Sequence, residues 1–184
     1  MKMNRLSVLL FCFLTLPIWS EAQWLTGVQT YYSDDFREWM IYTDEEDVPG
    51  ELTMRWRSRN DWSEWNYSIG DLSGTIRATF DDDPSQFEIR GNGVTITARR
   101  LFANDFREWR ITDNETTLIF KTKWGNNTNE WTLRDEKKGT FEMETEWEAD
   151  PRDWRIEDEL DEEISLQMKV AMVFLAVYHA SPHE

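Results

Sequence analysis

Carboxylates recur in this chain at fixed distances from aromatic residues, and rows of carboxylates are what glycoside hydrolysis and calcium binding both draw on. Four positions before an aromatic stand Asp35, Asp61, Asp83, Asp105, Asn127 and Asp150, and one position before it stand Glu38, Glu64, Gln86, Glu108, Glu130 and Asp153. The aromatics are Trp39, Trp65, Phe87, Trp109, Trp131 and Trp154, at intervals of 26, 22, 22, 22 and 23 residues. A near-constant period of this kind marks a repeat architecture, so the rows read first as corners of structure. Asp or Asn ahead of a strand bonds the backbone two residues on and makes a turn. The rows also lack the dense ligand spacing of a calcium loop, even at Asp81-Asp82-Asp83, and no metal is expected.

Other chemistries have little to use. The two histidines, His179 and His183, stand at the end of the chain, and the single cysteine is Cys12. There is no G-x-S-x-G, no Gly-rich phosphate loop and no H-E-x-x-H spacing. The expectation is therefore a non-enzymatic protein with no catalytic residues and no cofactor. A carboxylate-dependent glycan hydrolase is the enzymatic alternative. For ligand binding the candidates are Arg55, Arg57 and Arg59, which alternate opposite the Leu52, Met54, Trp56 face, together with Arg99 and Arg100. The competing reading pairs those arginines with carboxylates, which outnumber basic residues 36 to 20. Trp62, Phe36 and Phe106 within the turns could contact carbohydrate or protein, or pack across the mouth of the fold.

The elements that must position these residues follow from alternation. Two positions after each aromatic come Ile41, Tyr67, Ile89, Ile111, Leu133 and Ile156, which is strand spacing with both side chains on one face. A second aromatic stands seven residues earlier in five copies, as Tyr32, Phe80, Phe102, Trp124 and Trp147, and nine earlier in the remaining one, as Trp56. Each unit reads as strand, short turn, strand, with the two aromatics paired across the hairpin and facing inward. Six hairpins make about twelve strands. Between units lie turn-forming stretches such as Gly91-Asn92-Gly93 and Asp135-Glu136-Lys137-Lys138-Gly139.

At the start, Lys2 and Arg5 precede an apolar run from Leu6 to Trp19 and then Ser20-Glu21-Ala22, which predicts a signal peptide over residues 1–22 with cleavage before Gln23. Removing that segment takes one net positive charge from the formal −16, leaving −17 on a single domain over residues 23–184. So acidic a surface repels nucleic acid and anionic lipid over most of its area. Cys12 leaves with the signal, so packing alone must hold the exported domain, which fits a bacterial periplasm. Asn66, Asn114 and Asn126 match the glycosylation sequon without adding weight.

After Glu163 the period changes. Residues 164–180 carry no turn former and predict a helix, apolar on every side from Val170 to Tyr178 and therefore buried all round. The acidic run Glu157 to Glu163 suits the N-terminus of that helix. Gln167 and Lys169 leave too short an apolar core for a membrane span. A closed antiparallel sheet of about twelve strands is too wide to fill with its own side chains, and an apolar helix threaded through it solves the packing problem. Six hairpins with a recurring Trp-x-Ile or Trp-x-Leu, closed by DWRIEDELDEEISLQMKVAMVFLAVYH, resemble the tubby C-terminal-like superfamily over roughly residues 24–180. The likeness is greatest to LURP-one-related proteins and more distant to phospholipid scramblases. It implies a twelve-stranded barrel around a central C-terminal helix, and in some members binding of phosphoinositides or lipid through basic pockets, from which this acidic chain departs. It implies no enzyme activity. The reading is an exported binding or scaffold module, periplasmic or extracellular, whose expected partner is an envelope protein or a lipid-like ligand.

Overall fold

The computed structural model describes residues 24–45, 48–80, 83–125 and 127–183; the expected signal peptide, Asp81, Asp82 and Asn126 lie outside them. The chain is an up-and-down antiparallel barrel. Its strands are β1 (Leu25–Tyr32), β2 (Asp35–Thr43), β3 (Gly50–Trp56), β4 (Asp61–Ile69), β5 (Leu72–Phe80), β6 (Asp83–Gly91), β7 (Val94–Phe102), β8 (Asp105–Thr112), β9 (Thr117–Thr122), β10 (Glu130–Asp135), β11 (Gly139–Trp147) and β12 (Asp150–Leu160). Each pairs with its neighbours in sequence, and β1 closes on β12 through Gly27 opposite Arg155, Val28 opposite Trp154 and Gln29 opposite Asp153. Closure leaves no open sheet edge.

Helix α1 (Leu166–Ala180) threads the barrel, its residues from Gln167 to Tyr178 all buried. Ser165 caps it by accepting a hydrogen bond from the Met168 amide. The wall meets the helix with Trp39, Ile41, Trp65, Phe87, Ile89, Trp109, Ile111, Trp131 and Trp154, all buried, in the register that alternation predicts. Where repeat two replaces the branched aliphatic with Tyr67, two glycines make room: a Cβ on Gly74 would stand 2.6 Å from the Tyr67 ring and 2.0 Å from the Arg90 carbonyl oxygen. The wall there admits no side chain.

Two expectations need correction. The acidic run is not all helix N-terminus, because β12 continues to Leu160 and takes its first half into the sheet. The earlier aromatics do not face inward: Tyr32, Trp56, Phe80, Phe102, Trp124 and Trp147 are 38% to 66% exposed and ring one rim. Register explains this. From Thr30 to Tyr32 is two steps on β1, but the paired residues Trp39 and Asp35 are four steps apart on β2, and the same excess recurs opposite Trp56, Phe80, Phe102 and Trp147. Such a bulge re-aims the side chains around it. Phe36 and Trp62, inside the excess, pack on the core, and the rim aromatic is left outside.

Candidate functional site

The repeated phrase resolves into a hydrogen-bonded corner. In five hairpins the Asp or Asn side chain accepts the amide two residues on: Asp35 from Arg37, Asp61 from Ser63, Asp105 from Arg107, Asn127 from Asn129 and Asp150 from Arg152, at 2.8 to 3.2 Å. The tryptophan that ends the phrase donates its indole N–H to the carbonyl three residues back, Trp39 to Phe36 (2.9 Å), Trp65 to Trp62 (3.0 Å), Trp109 to Phe106 (2.6 Å), Trp131 to Thr128 (2.8 Å) and Trp154 to Pro151 (2.8 Å). Phe87 lacks that donor. The phrase thus satisfies buried polar groups where the strand bends, which is why aromatic and acid are repeated together.

Most of these carboxylates are committed to the corner. Asp35, Asp105 and Asp150 each grip the guanidinium two residues on, Arg37, Arg107 and Arg152, through two oxygens. The hydrogen bonds from those arginines hold all three carboxyls below the usual range, Asp105 at about 2. Asp153 is the exception. Burial, then Glu146 and Asp150, push its carboxyl up.

At the mouth on the same rim, His183 stacks on Trp62 with ring centres 4.0 Å apart, and its Nε2 lies 2.8 Å from the Tyr178 carbonyl oxygen. Trp62 and Phe36 are therefore packing residues rather than open contacts, while Phe106 covers His179 at 5.1 Å. His179 also lies against Trp109, and its Nε2 is sealed without a hydrogen-bond partner. Burial lowers its pKa from 6.5 to about 3. Below pH 6.5 the unfolded chain takes up a proton that the folded chain refuses, so stability falls as pH drops from about 6.5 toward 3, by up to about 1.4 kcal/mol per unit. Urea unfolding at pH 7 and pH 4.5 should show that loss, and His179→Phe should flatten it.

The candidate arginines divide. Arg55 and Arg77 share Glu64, at 3.3 and 3.2 Å, Arg57 pairs with Glu38, and Arg100 stands 3.8 Å from Asp83. Arg59 lies over the Trp56 ring at 5.4 Å. These are the ion pairs that the carboxylate excess implies. Arg99 differs: it stands directly opposite Arg110 in the β7/β8 pairing, and neither makes an ion pair among the described residues. Together with Arg100 and Leu101 they line a cleft of about 130 Å³, beside a wider recess of about 320 Å³ bounded by Phe80, Gln86 and Phe102. The structure thus brings Arg99 and Arg100 together with Arg110; of the other three only Arg55 is on a strand, because β3 ends at Trp56 and Arg57 and Arg59 lie in the 3-10 turn that follows, so the expected alternation of the three along one strand does not hold. Arg110 was absent from the sequence candidates; strand alternation from Trp109 and Ile111 was the signal that would have turned it outward.

A further group was not foreseen. Lys169 of α1 and Asp158 of β12 form an ion pair at 2.9 Å inside the barrel, their side chains 2% and 0% exposed. Asp158 also accepts the amides of Leu25 and Leu160, and the Lys169 ammonium sits 4.4 Å from the Trp24 ring centre. Both Asp158 oxygens have partners within the fold, so the pair fastens the helix to the seam where the barrel closes. Among the described residues no cluster of three or more metal-ligating side chains occurs, and no helix is long and apolar enough to cross a membrane.

Fold and surface together define a class: a closed twelve-stranded antiparallel barrel plugged by its C-terminal helix, with an aromatic rim and an unneutralised arginine pair on the wall. No family model, curated protein or solved structure matches the chain.

Proposed function

We propose that the protein is a non-enzymatic binding or scaffold module exported to the bacterial cell envelope, and that it takes an anionic group of its ligand on the outer wall between β7 and β8. The observation that carries this reading is the facing of Arg99 and Arg110. Like charges directly opposite on neighbouring strands destabilise a sheet. In a chain with 36 carboxylates, ten of the arginines have one within 4 Å, while these two face each other bare among the described residues. A bound carboxylate or phosphate bridging the guanidiniums would relieve the conflict, and arginine forks suit both groups. The site lies outside because α1 occupies the interior. Export rests on the basic and then apolar residues at the start of the sequence.

A lipid headgroup is the second reading, since its phosphate offers the same anion to the same arginines. Thermal melting in chloride against phosphate, with Arg110→Gln beside the native chain, tests the site. Without phosphate the variant should melt higher than the native chain, and phosphate should stabilise the native chain alone. A variant that melts lower and responds to phosphate as the native chain does would overturn the assignment. Flotation with phosphatidylcholine and phosphatidylglycerol vesicles at low salt then separates a headgroup from a free anion.

A further inference from the structure

Three hairpins carry a tryptophan at the rim, and two of the three hold a cation of the chain's own beside it. In the β3/β4 hairpin Trp56 donates its indole N–H to Glu64 Oε2 at 2.9 Å; Arg55 completes the group, its Nη1 3.3 Å from the same oxygen and its guanidinium carbon 5.0 Å from the ring centre. In the β9/β10 hairpin Trp124 donates to Glu130 Oε2 at 2.9 Å, and the Lys123 ammonium stands 3.9 Å from that oxygen. The grammar is the same in both: a cation immediately before the rim tryptophan, and a carboxylate immediately before the core tryptophan.

The β11/β12 hairpin keeps the tryptophan as Trp147 and the carboxylate as Asp153, but Glu146 occupies the place of the cation. Asp153 is one methylene shorter than Glu64 or Glu130, and the Trp147 indole makes no hydrogen bond among the described residues. Trp147 is 66% exposed, more than Trp56 or Trp124. The arginines nearest in sequence are engaged, Arg152 with Asp150 and the Ser33 carbonyl, Arg155 with Glu144. What remains is an exposed indole next in the chain to Glu146, in a hairpin where burial, then Glu146 and Asp150, push the Asp153 carboxyl up.

We propose that Glu146, Trp147 and Asp153 form a docking site for a lysine or arginine side chain on a basic segment of a partner protein, which takes the place that Arg55 and Lys123 fill in the other two hairpins. A cation over an indole face is attracted by the ring quadrupole, and a carboxylate on each side fixes it further. The acidic surface, at a formal −16, steers such a partner inward from a distance. This site goes beyond the anion site proposed above, lies on different strands and stands or falls by different variants.

A blocked (Lys-Arg)3 peptide titrated at low salt into the isotope-labelled full chain, read at the tryptophan indole resonances, tests it. The Trp147 resonance should shift first and furthest. Glu146→Arg supplies the missing cation in the chain itself and should raise the peptide Kd roughly tenfold, as should Trp147→Ala, which adds no charge. Glu115→Arg, the same charge change on the opposite rim, should move the Kd by less than about twofold. Equal weakening by Glu146→Arg and Glu115→Arg, an unchanged Kd in Trp147→Ala, or indole shifts spread evenly over the barrel would each show attraction to the net charge alone and overturn the site.

Discussion

A chain ending at Glu163 should not melt cooperatively, and it should bind a hydrophobic dye where the native chain does not. The twelve strands would keep their alternation, but their inward face would have nothing to pack on. Met168, Val170, Met172, Val173, Phe174, Leu175, Val177 and Tyr178 are all buried inside the barrel. At about 2 kcal/mol for each large apolar side chain removed from water, their loss forfeits on the order of 15 kcal/mol before the exposed wall is considered. That matches or exceeds the roughly 5–15 kcal/mol that holds an ordinary domain. Circular dichroism melting of residues 23–163 beside residues 23–184, both without detergent, checks it. A truncated chain that melts as cooperatively as the longer one would mean that the wall closes unaided and the helix is an appendage.

The second large effect is at the buried ion pair. Asp158→Ala leaves the Lys169 ammonium inside the barrel without its counter-ion and strips the Leu25 and Leu160 amides of their acceptor. Removing one partner of a buried pair costs about 3–5 kcal/mol, because an uncompensated charge remains. Adding Lys169→Met should recover much of that, since the charge leaves and a flexible apolar side chain fills the same course. Urea unfolding of the single and double variants measures both terms. A single variant within about 1 kcal/mol of the native chain would show that Lys169 can reach water or another acceptor, and that the pair does not fasten the helix.

The location of this pair explains where sequence reasoning stopped. Trp154, Ile156 and Leu160 place Asp158 in the inward register of β12, so the alternation that found the core also pointed a carboxylate into it. Reading the acidic run as a helix start concealed that. Lys169 stood out only as a break in an apolar stretch, because nothing in a linear pattern says which strand a helical lysine will meet. The rim aromatics failed for a related reason. Their spacing from the core tryptophans was regular, and a seven-residue spacing across a turn suggested facing partners, but the excess residues between Asp35 and Trp39 shifted the register at the corner. Side-chain direction depends on that count of paired residues, not on period alone.

The sequence by itself determined the wall and its filling. A period of about 22 residues, with an aromatic and an aliphatic two apart, leaves a strand only one apolar face, and a helix apolar all round has to be enclosed by something of that size. The carboxylate corners were legible too, since Asp or Asn four residues before the tryptophan is turn chemistry. Tertiary structure alone decided which charges meet. Arg99 faces Arg110 and Lys169 reaches Asp158, because cross-strand register and helix rotation set those contacts over separations that no local pattern spans. Packing energy is encoded in residue type and spacing, whereas the pairing of charges depends on geometry that exists only once the barrel has closed.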